Sequence, residues 1–281
     1  MEIINTTARL KSAVQGAKDH GDLVGLVPTM GALHQGHMSL VERALKECDF
    51  VVVSIFVNPT QFNNPDDLRT YPRTVEADCD LLAKAGVNVA FVPTVEEVYP
   101  TPDTRQFDLG PVAEVMEGAM RPGHFNGVAQ VVSKLFDMVE PDKAYFGEKD
   151  YQQIAVIRRM AQLEGFDDID IVACPIKRAD DGLALSSRNV RLTAEQRAAA
   201  PAIHRILAQS VEDARAGMRL HELKLKVADE INATEGMKLE YFEIVDGDTM
   251  QPIARWTDSA RPVGCITVWM GDVRLIDNIK Y

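Results

Sequence analysis

At 281 residues, 46% of them hydrophobic and 26% charged, the chain is long enough to bury one large core or two ordinary ones. A formal net charge of −12 speaks against a nucleic-acid partner, which demands a basic face, and leaves room only for a local basic pocket that takes a small phosphate ligand. No apolar stretch approaches the roughly 20 residues that cross a bilayer, Met1 to Lys11 carries no signal-peptide apolar region, and Cys48, Cys79, Cys174 and Cys265 form no Cys-x-x-Cys pair, so the expectation is four mostly buried thiols in a reducing cytoplasm.

Leu23–Val27 reads as a strand and Met38–Lys46 as an amphipathic helix. Between them lies Pro28-Thr29-Met30-Gly31-Ala32-Leu33-His34-Gln35-Gly36-His37, a glycine turn that opens a helix. Free backbone N–H groups and the positive end of the helix dipole are expected to converge there, and such a place attracts phosphate. His34 and His37 bracket Gly36. In one reading they cap the loop and pack at the helix start. In the other, both imidazoles lie beside a polyphosphate and donate hydrogen bonds to oxygens that gain charge during transfer. Neither a third histidine nor an acidic ligand is close in sequence, which argues against a metal site.

Phe50–Val57 is a strand that is apolar on both faces, and Asn58-Pro59-Thr60-Gln61-Phe62 is its exit. Asn58 and Gln61 each offer a donor and an acceptor, which suits a small hydroxylated, carboxylated molecule; ordinary turn chemistry is the competing account of Asn58. Thr74–Ala85 reads as a helix and Val87–Val92 as a strand. Arg121-Pro122-Gly123-His124-Phe125-Asn126-Gly127 is a polar turn before the helix Val128–Val139, and its glycines suit either a lid or a plain connection. Strand Lys143–Phe146 then runs into Gly147-Glu148-Lys149-Asp150 and the helix Tyr151–Glu164, followed by strand Ile169–Ala173. This exit repeats the logic of the histidine turn. Lys149 is a mobile cation suited to phosphate, Asp150 caps the helix or accepts from ribose hydroxyls, and Gln153 is placed to face the same cleft as Gln61. Glu148 reads as a solvated surface charge.

After Pro175 the pattern changes. Lys177–Arg191 is polar and holds Leu185-Ser186-Ser187-Arg188-Asn189, two hydroxyls and a guanidinium that make a phosphate clamp or a polar linker. Thr193–Ala216, broken or bent at Pro201, and His221–Thr234 read as helices, and Leu239–Val245, Cys265–Met270 and Val273–Asp277 as strands. The expected fold class is α/β: a parallel sheet with helices on both faces over residues 1–176, then a smaller α+β domain over 177–281. Ligands on such sheets bind beyond the carboxyl ends of the strands, so the chemistry belongs to the segments that follow them.

These motifs, in this order, resemble the pantothenate synthetase (pantoate–β-alanine ligase) family of the nucleotidylyltransferase superfamily. The histidine turn matches that family's form of the "HIGH" motif. Asn58–Phe62, Arg121–Phe125, Gly147–Asp150 with Gln153, and Leu185–Asn189 match its remaining signatures. The resemblance implies a Rossmann-like N-terminal domain and a C-terminal domain closing over ATP, in a cytoplasmic homodimer with no nucleic acid or membrane partner. It implies ATP as substrate, Mg²⁺ held mainly by the ATP phosphates, and condensation of pantoate with β-alanine through pantoyl adenylate. For the residues it implies ATP contacts from Met30, Gly31, Ala32, Leu33, His34, Gln35, Gly36, His37, Gly147, Glu148, Lys149, Asp150, Lys177, Leu185, Ser186, Ser187 and Arg188. Gln61, Gln153 and Asn58 would serve pantoate and β-alanine. His34, His37 and Lys149 would act on the reacting phosphates, with His37 the better candidate for a proton donor.

Two rivals make different demands on the residues. A nucleotidyl transfer to a phosphorylated acceptor needs extra cations where this chain offers Gln61 and Gln153. A regulator that binds nucleotide without catalysis has no need of two histidines and Lys149 together.

Overall fold

The computed structural model describes residues 1–281 throughout. In chain order the elements are β1 (Glu2–Ile4), α1 (Thr7–Asp19), β2 (Val24–Thr29), α2 (Gln35–Glu47), β3 (Phe50–Ile55), α3 (Pro65–Thr70), α4 (Val75–Ala85), β4 (Val89–Phe91), α5 (Val95–Val98), α6 (Glu117–Met120), α7 (His124–Val139), β5 (Lys143–Gly147), α8 (Tyr151–Glu164) and β6 (Asp170–Cys174). There follow α9 (Ala194–Ala199), α10 (Ala202–Arg215), α11 (Leu220–Ala233), β7 (Met237–Asp246), β8 (Pro262–Met270) and β9 (Val273–Lys280). They form two compact units. One comprises Met1–Gly110, Arg121–Glu148 and Val156–Pro175; the other comprises Pro111–Met120, Lys149–Ala155 and Ile176–Tyr281.

The first unit holds a six-stranded sheet in the order β1-β4-β3-β2-β5-β6, with every pairing parallel. Its inner strands β2, β3 and β4 are largely apolar because both faces are covered. Val27, Val51, Val53, Ala90 and Tyr145 pack with Met38, Val41 and Ala44 of α2. The alternate residues Val24, Leu26, Val52, Val89, Phe91 and Ala144 are equally buried, and α1 and α7 pack on β2. The α/β architecture expected from the alternating pattern is the one observed.

The second unit is built on the antiparallel sheet β7-β8-β9. Ile203, Ile206 and Leu207 of α10 and Leu223, Val227 and Ile231 of α11 bury against Phe242, Ile244, Ile266, Val268 and Leu275 of that sheet. The helical run 193–216 is interrupted at Pro201, as its missing N–H requires. Segment 111–120 joins this unit through Met116, which packs with Val245, Met250, Val263 and Cys265. Glu117 there meets the Arg274 guanidinium at 2.7 Å and accepts from the Tyr241 hydroxyl at 2.7 Å. Arg274 also pairs with Glu240. All four cysteines are buried and unbridged.

Five elements escape the periodicity: the short helices α3, α5 and α6, and β1 and α1. β1 is only three residues long and leaves Ile3 half exposed at the sheet edge. α1 buries a narrow stripe of Leu10, Val14 and Ala17 with Gly16 inside it, too thin a signal to separate from a polar leader. The helix expected from Val128 starts at His124, after Gly123 at φ 81°. His124 and Asn126, which look like turn residues, point back to bind loop backbone: Asn126 accepts from Phe107 N at 2.9 Å and donates to Arg105 O at 3.1 Å. His124–Gly127 is therefore the opening turn of α7, and Arg121–Gly123 leads into it.

Candidate active site

The parallel sheet winds outward in one direction through β3 and β4 and in the other through β5 and β6, so the switch point lies between β2 and β5. Their carboxyl ends lead to Met30 and Glu148. A doubly wound sheet offers its ligand crevice there.

At the end of β2 the Thr29 hydroxyl donates to Ser54 O at 2.6 Å and accepts from Gly31 N at 3.1 Å. Gly31 (φ 79°) and Ala32 (φ 50°) are both left-handed, which turns the chain back sharply. The Asp78 carboxylate accepts from Ala32 N at 2.9 Å and Leu33 N at 2.8 Å. Next, His34 N donates to His37 Nδ1 at 3.3 Å, and Gly36 N to His34 Nδ1 at 3.1 Å. The two rings lie 4.1 Å apart, centroid to centroid.

This arrangement corrects the expectation of free backbone N–H groups at the turn. The N–H groups of Gly31, Ala32, Leu33, His34 and Gly36 are all held by side chains of the protein itself. The imidazoles cap the helix through their Nδ1 atoms. An Nδ1 that accepts from an N–H has its lone pair engaged, so each neutral ring carries its proton on Nε2. The turn thus carries two adjacent, mutually tilted rings with Nε2–H groups in place of a nest of amides. A neutral Nε2–H ring stabilises an anion by hydrogen bonding, and giving that proton away would leave an imidazolate. The geometry therefore favours hydrogen-bond donation over a proton-donor role for His37.

At the exit of β3, Asn58 is 1% exposed and fully engaged. Its Nδ2 donates to Gln61 Oε1 and to Gly127 O, each at 3.1 Å. Its Oδ1 accepts from the Tyr99 hydroxyl at 2.9 Å and the Thr60 hydroxyl at 3.1 Å. Gln61 is further fixed by a contact from Nε2 to the Met30 sulfur at 3.2 Å and by its own carbonyl, 2.8 Å from His124 Nδ1. His124 Nε2 lies 3.1 Å from Arg121 Nη1. A guanidinium cannot accept, so Nε2 does, and Nδ1–H donates to the Gln61 carbonyl. Asn58 has nothing left to offer a ligand as a donor; it acts as the bracket that orients Gln61.

The exit of β5 divides between the units. Gly147 and Glu148 belong to the first, and Lys149, Asp150 and Gln153 to the second. Lys149 Nζ lies 3.9 Å from Asp150, and its backbone oxygen accepts from Asn278 Nδ2 at 3.1 Å. The neighbouring glutamines have separate fates. Gln152 is buried and holds Val112 O, Val115 O and Glu117 N, whereas the half-buried Gln153 spends no side-chain hydrogen bond on the protein. Residues 177–185 form a tight hairpin, with Leu185 N donating to Lys177 O at 3.0 Å and Ala179 N to Leu183 O at 2.9 Å. Arg178 ties the hairpin to β9 through two bonds to Asp277, at 2.6 and 2.8 Å. Ser186 caps the turn Ser187–Arg191 by accepting from Arg188 N at 3.3 Å, and Asn189 Nδ2 braces it on Ala184 O at 3.0 Å. Ser186, Ser187 and Arg188 thus stand on a rigid loop of the second unit.

Sequence reasoning overlooks three supporting residues: Asp78, Tyr99 and His124. Each acts 41 to 63 residues away in sequence on the group it holds. Asp78 in particular looks like an ordinary acidic residue in the first turn of a helix. No group of three or more His, Cys, Asp or Glu side chains is arranged to hold a metal.

A family model described as pantoate-beta-alanine ligase matches residues 2–280. A protein named pantothenate synthetase from Porphyromonas gingivalis is 63% identical, the match covering 100% of this chain and 99% of that one. Another of the same name, from Phocaeicola vulgatus, is 56% identical over the same shares. A crystal structure of pantothenate synthetase from Thermus thermophilus has 44% sequence identity and a TM-score of 0.91, covering 99% of both chains. A pantoate-beta-alanine ligase from Francisella tularensis, crystallised with beta-gamma ATP and beta-alanine, has 37% identity and a TM-score of 0.80, covering 99% of this chain and 97% of that one.

Proposed function

Since the chain belongs to the pantoate-beta-alanine ligase family, we infer that it condenses pantoate with β-alanine at the expense of ATP. A carboxylate is a poor acyl donor until its oxygen becomes part of a good leaving group. The pantoate carboxylate attacks the α-phosphorus of ATP; its oxygen forms the new P–O bond, the bond to the β-phosphate breaks, and pyrophosphate leaves. The β-alanine amine then attacks the acyl carbon, loses a proton, and AMP departs to leave pantothenate.

The observation that carries this reading is the pairing, at one switch point, of two Nε2–H imidazoles with a bracketed glutamine. His34 and His37 would donate to the β- and γ-phosphates and to the departing pyrophosphate, whose charge grows as the bond breaks. Gln61, oriented by Asn58, would bind pantoate and reach β-alanine, and Gln153 would bind pantoate. Met30, Gly31, Ala32, Leu33, Gln35 and Gly36 shape the turn against ATP. Lys149, Ser186, Ser187 and Arg188 would neutralise phosphate charge; Gly147, Glu148 and Asp150 would meet adenosine, with Lys177 and Leu185 at the hairpin beside the clamp. Imidazole N–H groups and a lysine suit phosphate oxygens and not a cation, so Mg²⁺ is proposed to arrive with ATP, held by phosphates and water. A cytoplasmic homodimer belongs to the same proposal, on family kinship; no helix is long and apolar enough to cross a membrane.

Isotope exchange between pyrophosphate and ATP tests the reaction order. It is expected with pantoate present and β-alanine absent. Robust exchange with a phosphorylated acceptor, and none with pantoate, would overturn the assignment.

A further inference from the structure

We propose that Asp78 is the positioning residue of the histidine turn, holding it from α4 so that the two imidazoles point their Nε2–H groups at the phosphates; this rests on the function proposed above. Asp78 is 3% exposed. Its Oδ2 accepts from Ala32 N at 2.9 Å, and its Oδ1 from Leu33 N at 2.8 Å and from the Thr74 hydroxyl at 3.1 Å. The residues it grips include the one non-glycine of the turn with positive φ, Ala32 at 50°, next to Gly31 at 79°. An L residue keeps that conformation only when its surroundings over-determine it. A Cβ on Gly31 would lie 3.0 Å from Asp78 Oδ2, so the carboxylate also fills the space the glycine leaves.

The hold passes directly to the chemistry. Leu33 precedes His34, whose N–H binds His37 Nδ1 while its own Nδ1 accepts from Gly36. Letting Ala32 and Leu33 drift moves the backbone that fixes both ring planes. The bland alternative is that Asp78 merely stabilises α4 as an acid in its first turn. A capping acid accepts N–H groups of its own helix. Asp78 accepts none from α4; apart from the Thr74 hydroxyl, it spends both oxygens on a turn 45 and 46 residues away.

Asp78→Asn keeps the shape but has one acceptor and one donor, so one of the two turn N–H groups faces an NH₂. In pantoate-dependent ATP–pyrophosphate exchange, kcat is expected to fall on the order of 10- to 100-fold, the scale of a small misplacement of catalytic groups. The pantoate KM should hold within about twofold, because the Asn58–Gln61 bracket is built without Asp78, an estimate that treats unconnected sites as independent. A kcat within about threefold of wild type, or a parallel change in kcat and pantoate KM, overturns the proposal. Thr74→Val is the milder companion should Asp78→Asn not fold: it removes only the hydroxyl on Oδ1 and should lower kcat by roughly twofold to tenfold, the worth of one hydrogen bond. No change in kcat there would equally overturn it. Amide hydrogen exchange separates this failure from failure of the functional reading. Ala32 and Leu33 should be protected in the wild type although they lie in a loop, even if pantoate supports no exchange; unprotected amides would refute the clamp itself.

Discussion

At the scale of single residues, the most consequential feature is which nitrogen of each histidine carries the proton. Capping the start of α2 engages both Nδ1 atoms, and so the fold sets the tautomer before any substrate arrives. Glutamine supplies an N–H near the position of Nε2 but cannot act as an acid. His37→Ala is therefore expected to lose about 10²–10³ in turnover, the effect of removing one transition-state donor. His37→Gln should recover much of that loss, to within roughly tenfold of wild type on the same reasoning. Steady-state kinetics of the two variants distinguish the roles: a glutamine variant as poor as the alanine variant would mean that His37 transfers a proton. Asn58 repays the same attention. An amide at a strand exit invites assignment as a ligand, yet its hydrogens are both spent on Gln61 and Gly127.

At the scale of elements, α7 acts as a strut for the turn that carries Gln61. His124 in its first turn holds the Gln61 carbonyl, and Gly127 in its second admits the turn that carries Gln61. A Cβ on Gly127 would come within 2.4 Å of Thr60 O and 2.7 Å of Gln61 Cα, both backbone atoms. Gly127→Ala must therefore push the turn away from the helix. The pantoate KM is expected to rise on the order of tenfold, as for a displaced binding group, with the ATP KM nearly unchanged; equal changes in both would show that α7 supports more than the Gln61 turn. This strut marks the limit of what the sequence reveals. The parallel sheet is legible because strands buried on both faces become apolar runs such as Phe50–Val53. The histidine turn and the Asn58–Gln61 exit are legible because they follow those runs directly. The supports are not, because Asp78, Tyr99 and His124 act across tens of residues of chain and resemble, one by one, a helix acid, a loop aromatic and a turn histidine. Two corrections have a similar local cause: the helix start at His124 is hidden by polar residues aimed at distant backbone, and the amides of Gly31, Ala32, Leu33, His34 and Gly36 are held by side chains, one of which comes from α4.

At the scale of the whole molecule, one buried histidine of the second unit couples folding to pH. His204 on α10 packs its ring against Gly182, where an added Cβ would meet Cδ2 at 2.9 Å, at the tip of the hairpin that runs from Lys177 to Ser186. Its Nδ1 is buried without a partner. Burial first, and then the nearby Arg178 guanidinium, lower its pKa from the ordinary 6.5, while Asp277 opposes them in part. The sign of the linkage follows. An unfolded chain takes up the proton near pH 6.5, whereas the folded ring resists it, so the unfolded state binds more protons and stability declines as pH falls below about 6.5. The decline levels off only once the folded ring itself is protonated. Paired carboxylates do not share this window. Arg197 holds Asp181, and Lys226 holds Asp213, below the ordinary carboxylate range, so their contributions fade only at more acidic pH, below about 4. The thermal midpoint of the protein should therefore drop between pH 7 and pH 5.5, and the His204→Gln variant, neutral throughout, should drop markedly less. Parallel curves for the two proteins would place the sensitive group elsewhere. Because Arg178 anchors the hairpin to Asp277 on β9, a charge arriving on His204 is expected to press on the hairpin that carries Lys177 and leads into Ser186–Arg188; on the function proposed above, the ATP KM should then rise over the same pH interval in the wild type and hold steadier in the variant.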